Sequence, residues 1–190
     1  MEALILTGSP RQNGNTEILA KTLSEELQRH EATVKQFRLP DLDIHPCIGC
    51  GNCEKEGICI INDDMQMLYT HIVEADIILL ASPIYFYGLT AQTKAFVDRC
   101  QALWSRKYIL KKRISQKANR KGYLVSVAAT KGERVFEGAI LCARYGLDAM
   151  DAPYDGGLFY PGVDGKGEIR KHPGFPDKLE QLARQIVKVP

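Results

Sequence analysis

Hydrophobic positions along this chain follow two alternating periods. Ala3 to Thr7 is a short apolar run with no polar alternation, the pattern of a strand buried on both faces. It ends at the turn cluster Gly8-Ser9-Pro10. Ile18, Leu19, Leu23 and Leu27 then share one helical face, with Glu17, Lys21, Glu25 and Arg29 off it. Val34 to Leu39 predicts a second strand, and Pro40 to Asn62 is a long irregular stretch carrying four cysteines. A loop of that length within a compact domain is usually functional. Asp63-Asp64 predicts a helix start, with Met65, Leu68, Ile72 and Val73 as the apolar face.

Ile77 to Ala81 predicts a third strand, closed by Ser82-Pro83. Thr90 predicts a cap for one helix whose apolar face is Phe96, Val97, Cys100, Leu103 and Trp104. Tyr123 to Ala128 predicts a fourth strand, Val135 to Leu147 a helix, and residues 152–163 contain the fifth strand. Lys178 to Val187 predicts the closing helix, with Leu179, Leu182, Ile186 and Val187 as its face. Such alternation implies an α/β fold: a parallel sheet with helices on both faces. Right-handed crossovers leave few topologies, and five strands fit the order 2-1-3-4-5. One domain over residues 1–190 is expected, with the cysteine loop at about 40–62.

Composition narrows the function classes. The 25 Lys and Arg against 23 Asp and Glu argue against a nucleic-acid binder. Eight of the basic residues fall between Arg106 and Lys121 with no acid among them. That stretch reads either as a solvated helix end or as a docking patch for an acidic partner. The apolar run Ile77 to Ala81 is far short of the ~20 residues a membrane span needs. Glu2 follows Met1 and a strand-like segment begins at once, so no secretory leader and a cytoplasmic location are expected. In that compartment six cysteines serve as ligands, redox groups or core thiols more often than as disulfides.

Gly8 to Thr16 joins the first strand to the first helix. A phosphate suits that place, because the helix N-terminus offers unpaired N–H groups and a favourable dipole. Small residues, Gly14 among them, let the backbone approach closely. Ser9, Asn15 and Thr16 add short polar donors and Arg11 a charge-assisted one. The loop is neither a Walker loop nor a G-x-G-x-x-G fingerprint.

Cys47, Cys50, Cys53 and Cys59 have the spacing C-x2-C-x2-C-x5-C. Three thiolates spaced by three residues can wrap one face of a cuboidal cluster, and the fourth returns after an excursion containing Gly57. All four could serve one [4Fe–4S] centre. Structural zinc sites usually pair two short clusters across a longer insert, so zinc and a metal-free loop remain the alternatives. Cys100 and Cys142 lie on helical apolar faces and read as core thiols.

The opening G-S-P-R-x-x-G-N-T, with Ser82-Pro83-Ile84-Tyr85-Phe86-Tyr87-Gly88 after the third strand, resembles the NADPH-dependent FMN reductase branch of the flavodoxin-like family. The resemblance implies a flavodoxin-like sheet and an FMN phosphate at Ser9, Arg11, Gly14, Asn15 and Thr16. It also implies isoalloxazine contacts from Pro83, Ile84, Tyr85 and Phe86. A third flavin-facing loop is then expected after strand four, at Thr130, Lys131 and Gly132; Lys131 departs from the glycine-rich stretch of many relatives.

The cysteine motif in such a chain resembles the iron–sulfur flavoprotein family. That likeness implies FMN and one [4Fe–4S] cluster per subunit, a homo-oligomer, and electron transfer from ferredoxin or a similar acidic carrier. The acceptor would be a small molecule such as oxygen, peroxide or a quinone. Two further readings stand beside it. One is an NAD(P)H-dependent FMN or quinone reductase with a structural or zinc-bound cysteine loop. The other is a redox-sensing interaction module whose flavin is regulatory.

Overall fold

The structure is a computed structural model that describes residues 1–188. The last two residues of the expected 1–190 domain, Val189 and Pro190, lie outside the described residues. Among the described residues no helix is long and apolar enough to cross a membrane.

Five strands form one parallel sheet: β1 (Glu2–Thr7), β2 (Thr33–Arg38), β3 (Ile77–Pro83), β4 (Lys121–Ala128) and β5 (Tyr154–Pro161). Their order is β2-β1-β3-β4-β5, as the sequence pattern predicts. The helices are α1 (Asn15–Arg29), α2 (Asn52–Glu56), α3 (Met65–Glu74), α4 (Ala91–Arg99), α5 (Gln101–Trp104), α6 (Glu137–Ala149) and α7 (Asp177–Val187). β1 shows why its sequence lacks alternation. Ala3 and Ile5 pack into one core with α1 and α7 residues, while Leu4 and Leu6 pack into a second core with α3, α4 and α6 residues. Both faces of the strand are dry, so each position from Ala3 to Leu6 is apolar.

Three local differences from the expected elements have physical causes. The cysteine stretch is not wholly irregular: a 3-10 turn spans Leu39–Asp41, and α2 runs between Gly51 and Gly57, both at positive φ. The single helix expected after Thr90 breaks at Cys100 and passes through α5 into a π-helical turn, Ser105–Ile109. Trp104, expected on its buried face, is therefore partly exposed and packs on Tyr108. The helix expected from Val135 starts at Glu137, because Val135 and Phe136 are spent on the turn that precedes it.

Thr90 does cap α4, accepting the Thr93 N–H at 3.3 Å. Its hydroxyl donates to the Gly8 carbonyl at 2.7 Å, and the Gly8 N–H donates to the Ala81 carbonyl at 2.8 Å. A Cβ on Gly8 would lie 1.7 Å from Thr93 Oγ1. Glycine is thus required where the first loop crosses the start of α4.

The cysteine loop is held at both ends by one buried pair. The Arg99 and Asp63 side chains have no exposed surface and meet at 2.5 Å and 3.0 Å. Arg99 also donates to the His45 carbonyl before the cysteines and to the Ile61 carbonyl after them. Asp63 accepts the backbone N–H groups of His45 and Met65. Burial alone would raise the Asp63 pKa, but the Arg99 hydrogen bond and charge, with those two amides, hold it below the ordinary 3.8.

A second buried guanidinium, Arg120, has no carboxylate bonded to it among the described residues. It donates instead to the carbonyls of Ile72, Ala75, Met150 and Asp151, at the C-terminal ends of α3 and α6. A cation there satisfies carbonyls that a helix end leaves unpaired. Substituting Arg120→Met is expected to cost about 2–4 kcal/mol, because it strands those carbonyls without a donor. The measurement is the urea midpoint at unchanged slope.

The Asp63 contribution to stability is present above the unfolded-state pKa and is lost as pH falls through the lower folded-state value. At about pH 7 the wild type should exceed Asp63→Asn by about 3–5 kcal/mol, since the variant leaves the Arg99 charge unpaired. In denaturant titrations that gap should narrow as pH drops below about 4. A gap that holds to about pH 2 would show that Asp63 is not the ionised partner.

Candidate functional site

Two cavities form among the loops at the carboxyl ends of the strands. The first lies over the turn from β1 to α1 and is lined by Ser9, Arg11, Gly14, Asn15, Thr16, Pro83, Ile84 and Tyr85. The intrahelical bonds of α1 begin with Ile18 N–H to the Gly14 carbonyl. The amides of Asn15, Thr16 and Glu17 therefore precede the ladder, as an anion site at a helix N-terminus needs. A Cβ on Gly14 would come within 3.1 Å of Arg11 Cβ and its carbonyl oxygen, so the turn closes tightly there. The cavity holds about 70 Å³, the scale of a phosphate group. These residues fit the phosphate end of FMN.

The side chains divide this work unevenly. Arg11 is exposed and loosely paired with Asp164 at 3.8 Å, while donating to the Asp164 carbonyl at 3.3 Å. An exposed pair of this kind contributes little, so the guanidinium remains open to a stronger anion. Asn15, expected as a phosphate donor, commits its side chain elsewhere. Its Nδ2 donates to the Gly165 carbonyl at 2.9 Å and its Oδ1 accepts the Ile169 N–H at 3.2 Å. The Asn15 side chain thus fastens the 164–169 loop, whose Asp164 lines the site. Glu168 braces the same loop by accepting the Asp164 and Gly165 N–H groups.

Pro83, Ile84 and Tyr85 form one wall, but Phe86 does not. Phe86 and Tyr87 occupy a tight turn at positive φ, closed by paired backbone bonds between Tyr85 and Gly88. The Phe86 side chain projects fully into solvent. At the end of β4 the cavity is lined by Val127 and Ala129, whereas Thr130, Lys131 and Gly132 lie outside its lining. The Lys131 stem lies along Gly162, where a Cβ would meet its Cε at 2.5 Å. Gly132 instead faces the Tyr87 hydroxyl. Sequence reasoning missed Val127, Val163 and Asp164 as lining residues. Their position at the carboxyl ends of β4 and β5 is the signal for them, and Asp164 alone among them carries a charge.

The second cavity, about 200 Å³, is lined by all four of Cys47, Cys50, Cys53 and Cys59. Cys47 and Cys50 are exposed, and Cys53 and Cys59 are half-buried. Gly49 and Gly51 take left-handed φ between the first three cysteines, with open space where a Cβ would stand. Cys53 rides on α2, which packs against the π-helical turn, and the Ser105 hydroxyl lies 3.6 Å from its sulfur. Arg99, Gln101 and Ala102 from the α4–α5 segment join the wall, as do Asn52, Glu54, Ile60 and Ile61 of the loop itself. Among the described residues, no three His, Cys, Asp or Glu side chains converge closely enough for a single ion. Four thiols spread around one cavity beside a buried cation suit a larger, anionic, thiolate-bound group such as a [4Fe–4S] cluster.

The remaining cysteines behave as side chains of the core. Cys100 is buried, donates to the Phe96 carbonyl at 3.4 Å, and burial pushes its thiol well up. Cys142, expected in the core, is only half-buried, and burial pushes its thiol up as well.

Relatives with this architecture are known. An iron–sulfur flavoprotein of Methanocaldococcus jannaschii is 38% identical over 103 residues, 54% of this chain and 53% of that protein. One of Archaeoglobus fulgidus is 37% identical over 99 residues, 52% of this chain and 45% of that protein. The matched segment therefore spans about half the length of each of these two curated relatives. Another iron–sulfur flavoprotein of Archaeoglobus fulgidus is 28% identical over the full chain and 95% of its own length. Among solved structures, an NAD(P)H:quinone oxidoreductase from Methanothermobacter marburgensis superposes with a TM-score of 0.73 at 14% identity, covering 100% of this chain and 98% of that one. That likeness concerns the flavodoxin-like fold alone. Residues 1–151 match the model of one family, and the chain belongs to it: the NADPH-dependent FMN reductases.

Proposed function

We propose that this chain is a flavin-dependent oxidoreductase of the iron–sulfur flavoprotein kind, a single cytoplasmic domain that holds FMN at the β1–α1 loop and a [4Fe–4S] cluster at Cys47, Cys50, Cys53 and Cys59. Bound together, the two groups supply one-electron entry and two-electron delivery, from ferredoxin or a similar acidic carrier to oxygen, peroxide or a quinone. The observation that carries the reading is the gathering of four thiols around one cavity at the same sheet edge as the phosphate cradle. The names of the curated relatives support it.

The chain's own residues would bind and orient. Gly14 and the first amides of α1 would take the phosphate, with Arg11 exchanging Asp164 for it. Pro83, Ile84 and Tyr85 would cover the flavin. Asn15 would hold in place the 164–169 loop, whose Asp164 lines the site.

The basic stretch divides in two. Lys107, Lys117 and Lys121 pair with carboxylates of the chain, and Arg120 is buried on carbonyls. Arg106, Lys111, Lys112 and Arg113 have no carboxylate partner among the described residues, and Gly57 of the cysteine loop abuts Arg106 and Leu110. This unneutralised group, which reaches the cysteine loop at Arg106, supports an acidic electron donor. The exposed Trp104, Ile109, Leu141 and Tyr145 support a homo-oligomer.

Anaerobic preparations should carry one FMN, with about four irons and four sulfides per chain. Cys59→Ala should lose the iron and keep the flavin; undiminished iron would remove Cys59 from the ligand set. Lys111→Glu with Lys112→Glu should raise the KM for ferredoxin about tenfold and flatten its salt dependence. Reduction of the flavin by dithionite should be unchanged in that variant. Rapid bleaching by NADPH without ferredoxin would favour the NAD(P)H-dependent reductase instead.

A further inference from the structure

We propose that Arg99 Nε–H and the Ser105 hydroxyl donate hydrogen bonds to the sulfurs of the group held by the four cysteines, and so raise its reduction potential. The inference rests on the cluster reading above.

Arg99 makes every hydrogen bond the fold asks of it through its two terminal nitrogens. One donates to the His45 carbonyl and Asp63, the other to Asp63 and the Ile61 carbonyl. Its Nε is buried and has no hydrogen-bond partner among the described residues, and Arg99 is one of the residues around the cysteine cavity. A buried donor left unpaired costs about 1–3 kcal/mol, so native proteins seldom tolerate one without a reason. The four cysteine sulfurs are acceptors around this cavity, together with the side-chain oxygens of Asn52, Glu54 and Gln101. Asp63 pairs with the guanidinium through the two terminal nitrogens and leaves Nε without a carboxylate oxygen.

Ser105 points the same way by a separate route. A serine inside a helix commonly bonds back to the carbonyl four residues earlier. Here the hydroxyl lies against Cys53 Sγ at 3.6 Å instead, at the start of the π-helical turn that the Leu110 N–H closes onto the Ser105 carbonyl. The Gln101 amide donates to the Ser105 oxygen at 3.4 Å. With that lone pair engaged, the single hydroxyl hydrogen is left for the sulfur. Thiolate-bound iron–sulfur groups gain negative charge on reduction, and hydrogen bonds to their sulfurs, with nearby positive charge, favour the reduced form.

The test compares wild type, Ser105→Ala and Arg99→Lys, reconstituted anaerobically. Iron and sulfide are counted per chain first, and the midpoint potential of the iron centre is then read by EPR-monitored titration. Ser105→Ala should lower the reduced-to-oxidised ratio at the wild-type midpoint by about threefold. Arg99→Lys keeps the charge and loses the Nε donor. It should lower that ratio by about tenfold, about 59 mV for a one-electron couple. If Arg99→Lys does not fold or load, Ser105→Ala decides alone. A loaded Ser105→Ala at the wild-type potential overturns the proposal, and an unmoved potential in loaded Arg99→Lys overturns the role of Nε. A wild-type chain that takes up no iron and sulfide overturns the cofactor reading itself, and this inference falls with it.

Discussion

The Arg99–Asp63 pair is where the cysteine loop becomes structure. Removing two charges from water costs several kcal/mol for each ion, so such a pair persists only if further hydrogen bonds satisfy it. Here they come from the segment being fixed: the carbonyls of His45 and Ile61 and the amides of His45 and Met65. Helix geometry adds to the pair. Asp63 sits at the positive end of α3 and Arg99 at the negative end of α4, each charge at the terminus that favours it. Gln66 adds hydrogen bonds to the Cys59 and Ile61 carbonyls, while Ile48, Ile58 and Ile60 are exposed and bury little apolar surface. Its shape is set by charge and hydrogen bonding more than by packing.

The sheet then determines what this loop stands beside. In a parallel order of 2-1-3-4-5, the loops after β1, β2, β3 and β4 all leave from one edge. Arg38 ties two of them together at the end of β2. Its guanidinium pairs with Asp41 at 2.9 Å and donates to the Ser9 carbonyl at 3.3 Å. The phosphate loop and the entry to the cysteine loop thus share one brace. The two cavities have no lining residue in common. Each can be altered without dismantling the other, although one scaffold orients both.

The fold was legible because its signal is apolar periodicity, which the two cores read out directly. Leu4 and Leu6 could be apolar only if the other face of β1 was covered as well, and it is. The site was legible where chemistry is carried by residue type: four cysteines at short spacing, and a small-residue turn before a helix. It was illegible where long-range geometry assigns the role. Nothing local distinguishes Arg99 from other helix-end arginines, and its partner lies 36 residues away. Asn15 reads as a phosphate donor until a loop 150 residues distant takes its amide. The eight basic residues look uniform in sequence, yet the fold neutralises part of them and leaves Arg106, Lys111, Lys112 and Arg113 free of carboxylates among the described residues.

The turn at Phe86-Tyr87 shows the same division between what a motif states and what packing decides. Two consecutive non-glycine residues at positive φ cost about 1–3 kcal/mol each and persist only where their surroundings over-determine them. The surroundings here are glycines brought from elsewhere in the chain. A Cβ on Gly138 would meet the Tyr87 carbonyl oxygen at 2.6 Å, and one on Gly132 would meet its hydroxyl at 2.7 Å. Glycine after β4, which reads in sequence as a cofactor-facing residue, is thus first a seat for Tyr87. That seat fixes the Tyr85–Gly88 backbone pairing, and the pairing aims Tyr85 along the cavity wall while turning Phe86 out to solvent. A side chain's place in a motif specifies its chemistry, but here two distant glycines decide which of three neighbouring aromatics faces the site.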